Sequence, residues 1–310
     1  MAAIPKSPQN LSWNEDLHLD TSTLRIRRIL VPTDFSQPAT RALEAAIAIA
    51  ELYGSTLLLA HASFSANLIA AEEFPPQEFL IDRLEQDQKM MQTLIAAHPR
   101  LAKLQMETTV DYGDPITMIR RLAEKWNPDL LVLGSHGCSG LERIALGSLA
   151  ESVAHDLTQP VLIMGPHAKS GREPFQSIVF ATDLSSTGLR PAQYASSFAE
   201  RFHSELLMLH IVEEAPQNER FRSEREQQAL QDLEMLVPRD AKLVCRPRFK
   251  VEFGKAAERI VQAARDVNAS LVVVGARRAG PLTSHLPWLT VSKIIREAEC
   301  GVLVVRNRFL

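Results

Sequence analysis

Short apolar runs alternate along the chain with longer segments in which apolar residues recur at helical spacing. Residues 130–133 are typical of the runs, because four apolar residues between a Pro-Asp pair and a glycine predict a strand buried on both faces. The segment after Ser36 is typical of the others, since Leu43, Ile47 and Ala50 lie on one helical face. Strands that alternate with helices predict an α/β fold with a parallel sheet covered on both faces.

Polar residues mark the predicted helix starts. Ser36 and Asp114 are predicted N-caps, and Pro115 suits the first helical position. Ser148-x-x-Glu151 has the pattern of a capping box, so another helix is predicted to begin there. In the helix predicted over residues 77–97 the inward positions are Leu80, Leu84, Met91, Leu94 and Ile95, and in the helix after Asp114 they are Ile116, Ile119, Leu122, Ala123 and Trp126.

The order of elements occurs twice. Thr-Asp34 after the first strand has a counterpart at Asp183, and the strand that ends at His61 has one that ends at His210, both 149 positions further on. Gly134 matches Gly275 at an offset of 141, after a shortening of eight residues. The repeat predicts an N-terminal tail (1–24), a first domain (25–166), a linker (167–174) and a second domain (175–310), each domain with a five-stranded parallel sheet.

The stretch from Gly134 to Ser148 joins a predicted buried strand to a predicted helix start through a loop that contains Gly137 and Gly147. Glycine lets the backbone approach a ligand, and the first turn of a helix has unpaired N–H groups and the positive end of the helix dipole. The stretch therefore suits an anion, although a loop that only turns the chain is the alternative. Neither a P-loop nor a Rossmann fingerprint occurs in it.

With these residues the chain resembles the universal stress protein family. Its nucleotide signature matches Gly134-x2-Gly137-x9-Gly147-Ser148 together with Asp34, and the resemblance extends over both copies. It implies two tandem Rossmann-like (adenine nucleotide alpha-hydrolase-like) domains and a stress-response regulator that binds ATP or AMP, with or without Mg²⁺. By this resemblance Asp34 would hold the adenine or ribose end and the backbone of Ala62 would meet the adenine. Ribose and phosphates would contact Gly134, Gly137, Gly147 and Ser148.

The second copy departs from the signature. Opposite Gly137, Gly147 and Ser148 it has Arg278, Trp288 and Leu289. Trp288 is bulky where the backbone would approach a phosphate, and Leu289 cannot cap a helix. Asp183 is kept, but an aspartate commonly caps a turn. We therefore expect nucleotide in the first domain only, with the second domain as an internal partner; the alternative is that Arg277 and Arg278 still hold some anion or regulate the first copy.

The last predicted strand of each copy is a short apolar edge that needs covering. These strands are Val161–Met164 and the run from Val302 to Val305. The resemblance suggests that they pair with each other and make the chain an internal pseudo-dimer. A further homodimer of chains is left open.

Composition narrows the classes of partner. The chain has 310 residues, 45% hydrophobic and 23% charged, as expected for two globular domains. A net charge of −3 argues against nucleic acid. No apolar run approaches the ~18 residues that span a bilayer, and the first residues lack the pattern of a secretory signal. Cys138, Cys245 and Cys300 have neither metal-like spacing nor a disulfide pattern, which is typical of the reducing cytoplasm. Together with the lack of an apolar span, this predicts a cytoplasmic protein without membrane contact.

Two other function classes are compatible with the residues. One is a slow ATPase or nucleotidyl-transfer enzyme in which His136 or a bound metal assists. The sequence offers no evident general base and no carboxylate pair for Mg²⁺, so we assign no catalytic residue and favour binding over catalysis. The other is a nucleotide-free protein-interaction scaffold, against which the intact loop of the first copy argues. A regulator also implies a protein partner, which the sequence does not name.

Overall fold

The computed structural model describes residues 24–63, 77–135, 148–169, 175–185, 188–214, 218–237, 245–276 and 286–306. The elements of the first half are β1 (Arg28–Pro32), α1 (Gln37–Tyr53), β2 (Thr56–Ser63), α2 (Gln77–Ala96), a short 3-10 helix (Pro99–Lys103), β3 (Met106–Tyr112), α3 (Pro115–Trp126), β4 (Leu130–Gly134), α4 (Ser148–Asp156) and β5 (Val161–Met164). Those of the second half are β6 (Ser177–Thr182), α5 (Leu189–Phe202), β7 (Glu205–Val212), α6 (Glu219–Met235), β8 (Arg248–Phe253), α7 (Ala256–Asp266), β9 (Leu271–Ala276), α8 (Leu286–Glu297) and β10 (Gly301–Arg306).

The strands of the described chain form a single sheet in the order β3-β2-β1-β4-β5-β10-β9-β6-β7-β8. Neighbouring strands run parallel within each half. Only the pair at the centre, β5 with β10, is antiparallel among the described pairs. The predicted α/β class, with two tandem Rossmann-like units that each contribute a parallel five-stranded sheet, is confirmed.

The halves are joined through their last strands, as predicted. Val161–Met164 pairs with residues 301–304 of β10, so that Val161 lies opposite Val304 and Met164 opposite Gly301. Val305 lies one residue beyond the paired segment. Each of these apolar strands covers the other's edge, which would otherwise expose unpaired backbone groups.

Two cores lie on the two faces of the sheet. Because side chains alternate along a strand, Ile29 and Val31 point to the core that contains α1, α2, α5 and α6, whereas Leu30 points to the core that contains α3, α4, α7 and α8. Both cores receive residues from both halves. The hydrophobic layers are therefore continuous across the β5–β10 junction.

Helices α1 and α3 begin at the predicted caps. The Oγ atom of Ser36 accepts the backbone N–H of Ala39 at 3.3 Å. Asp114 accepts the N–H of Thr117 at 2.7 Å, and Pro115 is the first residue of α3. These bonds satisfy N–H groups that the first turn of a helix leaves unpaired.

The predicted inward faces of α2 and α3 are partly wrong. In α2 the buried residues are Met91 and Asp87, while the other four predicted apolar positions are only partly buried. In α3 Met118 is buried although it was not in the predicted set, and Ile116 is partly exposed. Both helices flank β3, which is an edge strand, so the sheet beneath them is too narrow to cover a full helical face.

Helix α4 begins at Ser148, as the sequence predicts, and Glu151 lies in its first turn. The Glu151 carboxylate accepts the indole N–H of Trp288 at 2.9 Å, a contact between the two halves. The Ser148 side chain lies outside the described residues, so the capping box itself stays a prediction. Among the described residues, none of the helices has both the length and the apolar character needed to span a bilayer.

Candidate functional site

The order of the strands reverses between β1 and β4. From β1 the chain moves outward through β2 to β3, and it then returns to the other side of β1 to form β4 and β5. In open α/β sheets a crevice lies beyond the carboxyl ends of the strands at such a switch point. Asp34 follows β1 and Gly134 ends β4, so both residues border this crevice.

Asp34 is held by the turn that it helps to form. Its Oδ1 accepts the N–H of Ser36 at 3.0 Å, while the Oγ1 atom of Thr33 accepts the N–H of Phe35 at 3.1 Å. Phe35 has a left-handed backbone with φ of 64°, which these two bonds compensate. The carboxylate is half-buried at the start of the path from β1 to α1.

The second half contains the same turn. Asp183 Oδ1 accepts the N–H of Ser185 at 3.0 Å, and Leu184 has φ of 58°. The hydrogen bond of the aspartate within the turn is therefore independent of the glycine loop, which only the first half has. Asp183 consequently provides an internal reference for any function specific to Asp34.

Ala62 directs its backbone toward the crevice. On β2 the even-numbered residues bond toward β1, as shown by the bond from the Thr33 N–H to the Ala60 carbonyl at 2.8 Å. The paired part of β1 ends opposite Ala60, so β2 continues past it at Ala62. The next carbonyl on that side, that of Thr33, lies 2.8 Å from Nδ1 of His61. The amide of Ala62 thus points into space beyond the end of β1.

Packing requires a glycine at position 134. A Cβ atom at this position would lie 2.7 Å from the carbonyl carbon of Pro38 and 2.8 Å from the N atom of Ala39. Real Cβ atoms do not approach backbone this closely. The first turn of α1 therefore lies directly against the end of β4, which brings Asp34 and Gly134 to the same crevice.

His61 lies next to this crevice on β2, but its side chain is buried away from it. It is buried on the α1–α2 side of the sheet, where its ring lies 4.4 Å from that of Phe35. Its Nε2 lies 3.4 Å from Oδ2 of Asp87, which is fully buried. These contacts give His61 a structural role in the packing of α2 on β2. His210 repeats the bond to a backbone carbonyl, that of Thr182 at 2.9 Å, and burial lowers the pKa of His210.

The model of the universal stress protein family matches residues 25–165 and again residues 174–306. The chain belongs to the universal stress protein family.

Curated relatives match a little less than half of this universal stress protein. A universal stress protein of Bacillus subtilis is 30% identical over 144 residues, which cover 44% of this chain and 97% of the relative. One of Thermus aquaticus is 32% identical over 136 residues, 43% of this chain and 99% of the relative. Relatives of this size correspond to a single repeat.

Solved structures match the whole tandem fold. The crystal structure of a universal stress protein from Archaeoglobus fulgidus has a TM-score of 0.68 at 20% identity and covers 94% of this chain and 98% of its own. A Pseudomonas aeruginosa protein described as a putative universal stress protein has a TM-score of 0.61 at 18% identity, with 91% and 93% coverage. At these identities the likeness concerns the fold.

The remaining predicted site residues of this universal stress protein fall at or beyond the edge of the described chain. Gly137 and Gly147 lie outside the described residues, and Ser148 is described only as the first residue of α4. Asp34, Ala62 and Gly134 are brought to one end of the sheet. The described half of the predicted site is therefore assembled from three separate strands.

Two residues near the site were not expected from the sequence. Asp87 lies at helical spacing with Leu84 and Met91, so an acid within an apolar stripe was the available signal. Trp288 was expected to obstruct the loop of its own half, but its indole contacts α4 of the first half. No sequence pattern within a single repeat predicts that contact, because it joins residues 137 positions apart.

Proposed function

We propose that the first half of this universal stress protein binds an adenine nucleotide, ATP or AMP, and that the second half supports the site as a fixed internal partner without binding nucleotide itself. The bound state would be conveyed to a protein partner, so the chain acts as a regulator. The observation that carries the proposal is the juxtaposition of Asp34, the Ala62 backbone and Gly134 at the β1–β4 switch point.

The described residues fit an adenine nucleotide. The N–H and C=O of Ala62 are a donor and an acceptor directed beyond β1, which suits the edge of a purine base. The half-buried carboxylate of Asp34 has acceptor capacity for two ribose hydroxyls. The path from Gly134 to the start of α4 leads to a helix N-terminus, which favours phosphate.

The energetic requirement explains why all of these parts are needed. A helix dipole contributes only ~0.3–1 kcal/mol to anion binding at an exposed site. Micromolar affinity corresponds to ~8 kcal/mol. Burial of the base and several hydrogen bonds must supply the difference. A half that keeps its aspartate but lacks the glycines, as the second half does, would fall short of this total.

The test is calorimetric titration of ATP and of AMP into the wild-type protein and two matched variants. Asp34→Asn keeps an oxygen that accepts the Ser36 N–H but removes the charge, and Asp183→Asn makes the same change in the second half. We expect one nucleotide per chain in the wild type, a loss of at least about tenfold in affinity in D34N, and wild-type affinity in D183N.

Other outcomes would reject the proposal. Two nucleotides per chain, or equal losses in D34N and D183N, would contradict an asymmetric site. Absence of binding at millimolar nucleotide would favour the scaffold function. The titrations are run with Mg²⁺ and with a chelator, and phosphate release is followed in parallel. Release above background that disappears in a His136→Ala variant would favour the ATPase alternative.

A further inference from the structure

A side chain of the second half contacts α4, the helix at which the proposed phosphate site of the first half begins. Trp288, in the first turn of α8, donates its indole N–H to Oε1 of Glu151 at 2.9 Å. Glu151 lies in the first turn of α4. The indole also meets the ring of His155 edge-on, with 5.9 Å between ring centroids. The indole is thus held by two successive turns of α4.

The support of Trp288 is rigid. Seven residues after it, the carbonyl oxygen of Ile295 lies so close to Gly165 that a Cβ atom there would be 2.4 Å from it. Beyond α8, the carbonyl of Glu299 accepts the N–H of Lys169 at 3.0 Å, and the two side chains form an ion pair. These contacts fix the C-terminal end of α8 at the junction, and the Glu151 and His155 contacts place Trp288, in its first turn, against α4.

The contact runs in one direction only. In the alignment of the halves Trp288 corresponds to Gly147, and Glu151 corresponds to Ser292. The mirrored contact would join a glycine, which has no side chain, to Ser292. The second half therefore contacts α4 through Trp288, whereas the first half has no side chain at the equivalent position, Gly147.

The negative charge of Glu151 is unfavourable for a phosphate at the start of α4, and the contact with Trp288 restrains the carboxylate that carries it. A carboxylate in the first turn of a helix is stabilised by the positive end of the dipole, and it occupies the region that would attract a phosphate. An unrestrained Glu151 would compete with a bound phosphate and repel it. The indole N–H holds one carboxylate oxygen on the side of the second half, and a tryptophan N–H can only donate.

We propose that Trp288 is a positioning residue for the nucleotide site of the first half, which it keeps open to phosphate by retaining the Glu151 carboxylate. The inference rests on the proposed function. The second half has Trp288 at the position of the last signature glycine, Gly147, of the first half. The side chain that is too bulky for a phosphate site in the second half thus supports the site in the first half. The chemistry selected is that of a nucleotide with phosphate groups, since a nucleoside would not meet Glu151.

The experiment compares ATP and adenosine in the wild type, Trp288→Phe, Glu151→Gln and the double variant W288F/E151Q. Phenylalanine keeps an aromatic ring but removes the N–H donor, and glutamine removes the charge at constant shape. Trp126→Phe is the matched control, because Trp126 lies on α3 with its ring beneath the Arg28 guanidinium, 5.7 Å from the ring centroid. Unfolding temperatures establish that each variant is folded.

We expect W288F to weaken ATP about 3- to 10-fold while adenosine changes less than about 2-fold. The double variant should regain the ATP affinity of the wild type, and W126F should retain it. Equal weakening of ATP and adenosine in W288F would show a packing role and overturn the inference, as would unchanged ATP affinity or failure of E151Q to restore it. A wild type that binds neither ligand would overturn the proposed function as well, so the two failures are distinguishable.

Discussion

The carboxylate of Asp87 lies 3.4 Å from Nε2 of His61, and its side chain has no solvent exposure. Nδ1 of His61 faces the Thr33 carbonyl at 2.8 Å; because a carbonyl only accepts, Nδ1 carries a hydrogen. Arg83, partly exposed, approaches the same Asp87 oxygen at 3.2 Å. This buried contact fastens α2 to β2 next to the candidate site.

Replacement of Asp87 by alanine should destabilise the protein by about 1–3 kcal/mol, because it leaves a space between α2 and β2 and removes the ion pair with Arg83. Urea titration measures the change in the free energy of unfolding. The control is Asp232→Ala, which removes a partly exposed acid beside His210 and should cost less than about 1 kcal/mol. Similar losses in the two variants would refute the structural importance of the His61–Asp87 contact.

Gly134→Ala should lower the free energy of unfolding by about 1–3 kcal/mol, since the new Cβ atom would collide with backbone of α1 at 2.7 Å. Gly275→Ala, at the equivalent and exposed position of β9, should change stability by less than about 1 kcal/mol. Chemical denaturation without ligand separates this packing effect from any effect on binding. A G134A protein as stable as G275A would exclude the close approach.

The pH dependence of stability should contain a contribution from His210. Burial lowers its pKa below the ordinary 6.5, so the unfolded chain takes up the proton first as the pH falls. The unfolded state then binds more protons, and stability falls as the pH decreases through 6.5 and below. A His210→Gln variant should lose less stability between about pH 7 and pH 5 than the wild type. Parallel pH profiles of the two proteins would contradict this assignment.

The hydroxyl of Tyr53 links the two halves and should ionise at a higher pH than an exposed phenol. It lies 3.0 Å from Oγ of Ser197 on α5, and burial raises the pKa of Tyr53 to about 12. Since an unfolded tyrosine ionises near 10, stability is lost as the pH rises above that value. In an alkaline absorbance titration, Tyr53→Phe should remove a phenol that ionises near pH 12. The variant should also cost about 0.5–1.5 kcal/mol, because Ser197 loses a partner. A titration curve that Y53F leaves unchanged at its upper end would reject the assignment.

Local patterns identified the elements because the interactions that define them are local. Ser36 and Asp114 cap their own helices, and the apolar run before Gly134 needs only to be buried on both faces. The repeat identified the parallel units, and the short apolar strands identified the junction, because an uncovered edge is unfavourable whatever lies beside it.

Contacts that depend on which elements meet were not predictable in the same way. The apolar stripe of α2 predicted a wholly hydrophobic face, but α2 lies at the edge of the sheet and buries Asp87 against His61 instead. The bulk of Trp288 predicted an obstruction within its own half. Its actual contact depends on the antiparallel pairing of β5 with β10, which brings α8 to α4.

The sequence by itself determined the repeat, the alternation of strands and helices, the caps, and the family resemblance with its candidate residues Asp34, Ala62 and Gly134. The elements and caps follow from periodicity and spacing within a few residues, the repeat follows from comparing the two halves of the sequence, and the candidate residues follow from the resemblance. The tertiary structure alone decided that Ala62 directs its backbone past the end of β1, that His61 turns away from the crevice, and that Trp288 acts on Glu151. Each of these depends on the relative placement of distant segments, and that placement is set by the register and edge pairing of the sheet.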